Sequence, residues 1–119
     1  MKVLHPGRGT GEVAKLDAPL SFWGGTDLTG HIRDPHHPQH GMLLAGRVVV
    51  MPASRGSSSS SSVLAEQLRL GTAPAAIVLT ERDPIILLGA IVAEQLYAVS
   101  LPVLLLDPDE PRPEGVVTI

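Results

Sequence analysis

The chain contains no cysteine. Disulfides are therefore excluded, and this chain alone cannot hold zinc or an iron–sulfur cluster on thiolates. Aromatic residues are scarce: one Trp, one Tyr and one Phe. Any core must be aliphatic, built from Val, Leu, Ile and Ala. No block of basic residues occurs and the formal net charge is −3, which argues against nucleic acid as a main partner. The longest apolar run, residues 85–93, is far short of the roughly 20 residues that cross a bilayer. The first residues, Met-Lys-Val-Leu-His-Pro-Gly, lack the apolar centre of a signal peptide. No membrane partner and a cytoplasmic location are the resulting expectations.

What is present suits a small folded domain. A length of 119 residues allows one domain with one modest core. Hydrophobic residues make up 44 %, too many for a disordered chain. The 12 Gly and 11 Pro imply frequent turns rather than a helical bundle.

Residues 48–70 organise the rest. Val48 to Met51 is a β-branched run that suits a strand buried on both faces. Pro52 cannot donate to a ladder, so the strand should stop there. Arg55-Gly56-Ser57 reads as a tight turn, and the serines after it as the opening of a helix, because a serine hydroxyl accepts from free first-turn amides. Val63, Leu64 and Leu68 share one helix face, with Glu66, Gln67 and Arg69 turned mostly to water. Unpaired amides at a helix start favour an anion. Arg55 can grip a carboxylate through two parallel hydrogen bonds, with the Ser57 hydroxyl beside it. The competing reading of a serine run is a flexible linker. Tight apolar segments on both sides argue against it.

Residues 2–4 and 12–16 read as short strands, and residues 18–22 as an extended segment after Pro19. Trp23 precedes Gly24 and Gly25. That bare backbone implies close packing of the ring or close approach to a ligand, with packing favoured. Residues 26–41 form a long polar loop holding His31, His36, His37 and His40. His36 and His37 are adjacent, so their rings diverge in an extended loop, and no carboxylate cluster completes a ligand set. Loop hydrogen bonding or substrate contact is preferred over a metal site.

Residues 42–51 carry one strand, or two bent at Gly46. Gly71 is a helix stop. Residues 75–79 form a second buried strand, Asp83 caps a second helix with Pro84 at its first position, and residues 85–97 are apolar on most sides and so should be buried. Residues 102–106 form a third buried strand. Residues 107–114 are an acidic, proline-rich turn, and residues 116–119 a last strand or edge. Strand, helix, strand, helix, strand from residue 47 onward predicts a parallel sheet with crossover helices. The earlier strands should make a smaller antiparallel layer. In such sheets ligands bind at the carboxyl ends of the parallel strands, where Arg55-Gly56-Ser57 falls.

The strings Ser-Phe-Trp-Gly-Gly (21–25), Asp-Pro-His-His-Pro-Gln-His-Gly (34–41), Arg-Gly-Ser-Ser-Ser (55–59), Gly-Thr-Ala-Pro-Ala-Ala-Ile (71–77) and Asp-Pro-Ile (83–85) resemble, in that order, the small swivelling domain of aconitase X. The resemblance covers roughly residues 18–105, and motifs in series are more specific than any one alone. It implies a swivelling β/β/α domain, α/β in class, with a parallel βαβαβ sheet layered on a smaller antiparallel one. It implies a large partner subunit, or fusion to it, carrying an iron–sulfur cluster on its own cysteines and most of the substrate site. Archaeal members act on 5-phosphomevalonate and bacterial members on cis-3-hydroxy-L-proline.

The resemblance also implies site roles. The first serine after Arg-Gly is the proton acceptor, which is Ser57 here. Arg55, Gly56, Ser58 and Ser59 would then bind substrate. His37, His40 and Trp23 would contact substrate or the partner interface. The chain would bind no metal or cofactor itself. The run is all serine through Ser62 where many members have glycine, so Ser58 is a rival base. The serine-rich version leans toward the bacterial substrate.

On this reading the small-molecule hydroxy acid loses water: a base takes the proton next to the carboxylate, and a Lewis-acidic iron draws off the hydroxide. Two other classes remain. A non-catalytic anion-binding module would need only the helix start. A swivelling phosphocarrier would need an exposed nucleophilic histidine beside a small-residue turn, and the histidines lie in a different loop.

Overall fold

Short apolar runs separated by two helical patterns build a single mixed sheet with helices on it. The computed structural model describes residues 1–54 and 59–119. In chain order the elements are β1 (Lys2–His5), β2 (Thr10–Lys15), α1 (Phe22–Gly25), β3 (Val48–Met51), α2 (Ser59–Leu70), β4 (Ala76–Leu79), α3 (Pro84–Tyr97), β5 (Val103–Leu105) and β6 (Val116–Thr118). Across the sheet the order is β1-β5-β4-β3-β2-β6. Strands β2, β3, β4 and β5 pair in parallel. Antiparallel pairing is carried by the two outer pairs, β1 on β5 and β6 on β2. Strand β2, expected on the antiparallel side, runs parallel to β3; residues 16–47 make the crossover, mostly as irregular chain.

The central parallel strands β3 and β4 read as unbroken apolar runs because both of their faces are covered. All four residues of β3 and of β4 are buried. Alternation along the strands sends Val49, Met51, Ile77, Leu79 and Val103 into one core with Leu64, Leu68, Ile86, Ala90 and Ala93 of the helices. It sends Val48, Val50, Ala76, Val78, Leu104 and Leu106 into a second core completed by Val13 and Ile119. Pro52 ends β3 as expected. The preceding apolar stretch is not one strand: only Leu43 pairs, in a bridge with His31, and a turn at Gly46 separates it from β3.

Helix α2 ends as the sequence predicts. Gly71 has φ +79, its N–H donates to Leu68 O (3.3 Å), and the Thr72 N–H donates to Gln67 O (2.9 Å). That pair of bonds and left-handed glycine satisfies the last carbonyls of the helix. Helix α3 begins on Asp83, whose carboxylate accepts from Ile85 N (2.9 Å) and Ile86 N (3.3 Å).

Two expectations fail on the helices. Gln67 is 1 % exposed rather than turned to water. Helix α3 is not buried all round: Leu88 is 45 % and Ile91 42 % exposed. Below Ile86 its buried stripe is made of small residues, Gly89, Ala90 and Ala93. A Cβ at Gly89 would stand 3.1 Å from Ser61 O and from Leu64 Cδ2. Close approach of α3 to α2 therefore selects the small residues for the inside and leaves larger ones outside.

Candidate functional site at the start of helix 2

Strand β3 and helix α2 are separated by seven residues, and the described ones show how both ends are held. Leu20 N donates to Ala53 O (3.3 Å), and Leu20 makes a parallel bridge with Ser54. Ser54 N donates to the Asp83 carboxylate. On the far side, Ser60 is fully buried in the first turn of α2. Its Oγ accepts from Trp23 N (3.3 Å) and lies 3.3 Å from Ser21 Oγ, and Ser21 Oγ donates to Trp23 O. The Ser-Phe-Trp-Gly-Gly string is thus tied to the start of α2. No acidic residue occupies the first turn of this 12-residue helix, so its positive end is not neutralised from within.

Arg55, Gly56, Ser57 and Ser58 lie outside the described residues. Ser59, the first helical residue, is exposed. Trp23 is 62 % exposed beside this helix start. The packed-anchor reading of Trp23 is therefore wrong: Phe22, fully buried, takes the core position next to it.

His37 behaves differently. It is buried; Gln39 N donates to its Nδ1 (3.0 Å) and its Nε2 faces Ala18 O at 3.2 Å. A carbonyl only accepts, so Nε2 carries the proton. Both ring nitrogens are used in holding residues 34–41, which leaves His37 no nitrogen for a substrate. Gln39 pins the same loop to Asp17: Nε2 donates to Asp17 Oδ2 (2.7 Å), and Oε1 accepts from Asp17 N (3.0 Å). His40 is exposed, with its backbone N–H on His37 O. Among the described residues no three His, Asp or Glu side chains gather to hold a metal ion.

Two residues were missed by sequence reasoning. Gln67 Nε2 donates to Thr26 Oγ1 (2.8 Å) and Asp27 O (3.0 Å), joining α2 to the polar loop. Its position three residues after Leu64 put it on the buried face. His5 is buried between β1 and α3, with Nδ1 2.8 Å from Leu101 O and Nε2 2.9 Å from Glu94 Oε2. Nothing in its flanking turn residues signals that role.

The polar loop is also braced by Asp27. Its Oδ1 accepts from Thr29 Oγ1 (2.6 Å), Thr29 N (3.0 Å) and His31 N (3.0 Å). The Thr29 hydroxyl, then the His31 amide, hold this carboxyl below its ordinary value. A depressed folded value stabilises above the unfolded one and stops doing so as pH falls through the folded one. The Thr29 and His31 amides are accordingly expected to keep their protection from hydrogen exchange through the ordinary carboxylate range and to lose it only at lower pH, ahead of the β3 and β4 amides. Simultaneous loss across all of these amides would contradict it.

A series of motifs, a parallel sheet and a serine-opened helix at the carboxyl end of a strand all invite comparison with known proteins. The family model for the aconitase X swivel domain matches residues 1–116. This chain belongs to the aconitase X swivel-domain family.

The swivel domain is 48 % identical over 103 residues to a cis-3-hydroxy-L-proline dehydratase of Pseudomonas aeruginosa, covering 86 % of this chain but 18 % of that protein. It is 42 % identical over 93 residues to the phosphomevalonate dehydratase small subunit of Methanothermobacter thermautotrophicus, covering 77 % of this chain and 71 % of that one. The crystal structure of holo-form aconitase X from Thermococcus kodakaraensis superposes with a TM-score of 0.84 at 29 % identity, over 98 % of this chain and 86 % of that one. The chain therefore spans less than a fifth of the Pseudomonas relative.

Proposed function

We propose that this chain is the swivel-domain part of an aconitase X-type hydro-lyase, whose pocket is completed by a larger chain. The substrate class is a hydroxy carboxylic acid. Cis-3-hydroxy-L-proline is favoured over 5-phosphomevalonate by the higher identity over a longer alignment, 48 % over 103 residues against 42 % over 93. The observation that carries the reading is the passage from the carboxyl end of buried β3 to the start of α2, at the Arg-Gly-Ser motif.

In this proposal Arg55 and the first amides of α2 hold the substrate carboxylate. Ser57 receives the proton from the adjacent carbon; the C–H pair becomes the new double bond as the hydroxyl leaves the neighbouring carbon. A serine hydroxyl takes a proton only as an alkoxide, so its charge must be stabilised by the helix start, by Arg55 and by exclusion of water. With no cysteine in the sequence, an iron–sulfur cluster would sit on the larger chain and supply Lewis acidity to the departing hydroxyl.

Co-expression with a larger, cysteine-bearing aconitase X-type chain tests this. The purified complex is expected to dehydrate cis-3-hydroxy-L-proline at least ~100-fold faster, in kcat/KM, than 5-phosphomevalonate, and neither chain alone should turn over. Reversed preference would assign the phosphomevalonate reaction. Failure to assemble and to act on either acid would leave the anion-binding module.

A further inference from the structure

We infer that Asp83 is a positioning residue for the serine segment, acting through the backbone of Ser54. This rests on the assignment of proton transfer to residues 55–58 and adds the group that sets where that segment starts.

The two oxygens of the carboxylate do separate work. Oδ1 accepts from Ile85 N (2.9 Å) and Ile86 N (3.3 Å), capping α3. Oδ2 accepts from Ser54 N, the last amide before Arg55. Asp83 itself is buried. A charged acceptor with three N–H donors in a water-poor place is a strong, directional anchor. It joins the carboxyl end of β3 to the start of α3, through a side chain 29 residues further along.

Among the described residues the buried Ser54 hydroxyl has no hydrogen-bond partner, and Ser54 is held through its backbone: by the Leu20 bridge on one side and Asp83 on the other. The Asp-Pro-Ile string thus does more than start a helix. It places the strand end from which the base-bearing segment departs.

The asymmetry of the carboxylate supplies a selective variant. In Asp83→Asn the amide oxygen can keep the cap on Ile85 and Ile86, and Asn caps helices as well as Asp. The amide NH2 then faces the Ser54 N–H, donor against donor. In the assembled complex, kcat/KM is expected to fall ~10- to 100-fold, as for an ångström-scale misplacement of a reacting group, because Arg55 and Ser57 both follow Ser54 along the chain.

Nuclear magnetic resonance of the chain should show the Ser54 amide moving upfield and exchanging faster, with the Ile85 and Ile86 amides unchanged. Asp83→Ser, which also caps but is too short to reach Ser54, should reproduce both effects if Asp83→Asn folds poorly. Wild-type kcat/KM in a variant whose Ser54 amide has moved would overturn the inference. So would an unmoved Ser54 amide. Ser57→Ala in the same complex separates this from the underlying reading: full activity there removes the base assignment, whatever Asp83 does.

Discussion

Replacing Ser57 by alanine is expected to lower turnover of the assembled enzyme about 10³-fold. The change deletes one oxygen atom and adds none, so assembly and thermal stability should match wild type. The carboxylate would still find Arg55 and the first amides of α2, so KM should change little. That split, lost kcat with retained KM, distinguishes a proton acceptor from a binding contact. Steady-state kinetics of the complex, with gel filtration to show assembly, makes the measurement. Ser58→Ala is the necessary companion, because the run of serines offers a second hydroxyl one residue on. A large loss with Ser58→Ala and none with Ser57→Ala would move the base by one position; wild-type rates in both would end the proposal for this segment.

A large effect on the fold is expected from Gly30→Ala. Gly30 has φ +89, and a Cβ there would stand 2.5 Å from Thr72 O and 2.9 Å from Ala45 Cβ. Thr72 belongs to the segment that ends α2, and its Oγ1 donates to Leu28 O (2.8 Å). Gly30 O accepts from Leu44 N (2.7 Å). The added methyl therefore meets the Thr72 backbone on one side and the Ala45 side chain on the other. A destabilisation of about 3 kcal/mol is expected, seen as a fall in Tm of roughly 10 °C by circular dichroism.

Gly24 supplies the contrast. Its φ is +80, yet no described residue lies within 4 Å of its Cβ position. Gly24→Ala should cost only the backbone strain, about 1 kcal/mol. Equal losses at the two sites would mean that conformation, not contact with Thr72, decides the matter.

The parts of this architecture legible in the sequence are those with local causes. Buried strands announced themselves as β-branched runs at Val48 and Ile77. Helix ends were marked by Asp83 with Pro84 and by Gly71, because caps and stops use particular residues for particular backbone groups. What escaped depends on partners far along the chain. Gln67 was read as solvated, since no local rule says that Thr26 and Asp27 will need a donor. Trp23 was read as packed because large rings usually are; only the bonds to Ser60 reveal that its backbone is fixed while its ring stays outside. Helix α3 carries apolar residues on every side, so periodicity alone could not choose its inner face. The choice was made by the closeness of Ser61 and Leu64 to Gly89. At the candidate site, the Arg-Gly-Ser string was visible at once, whereas the tie from Ser54 to Asp83 joins two strand ends that are neighbours only after the sheet has formed.

The placement of β6 carries a consequence for biosynthesis. It pairs with β2 from the far end of the chain, Thr10 opposite Thr118 and Glu12 opposite Val116. While the polypeptide is being made, β2 can dock on β3 but its other flank keeps open amides and carbonyls until residues 116–118 leave the ribosome. For that interval the nascent chain presents a sticky border to its neighbours, and the arrival of residues 116–118 closes it.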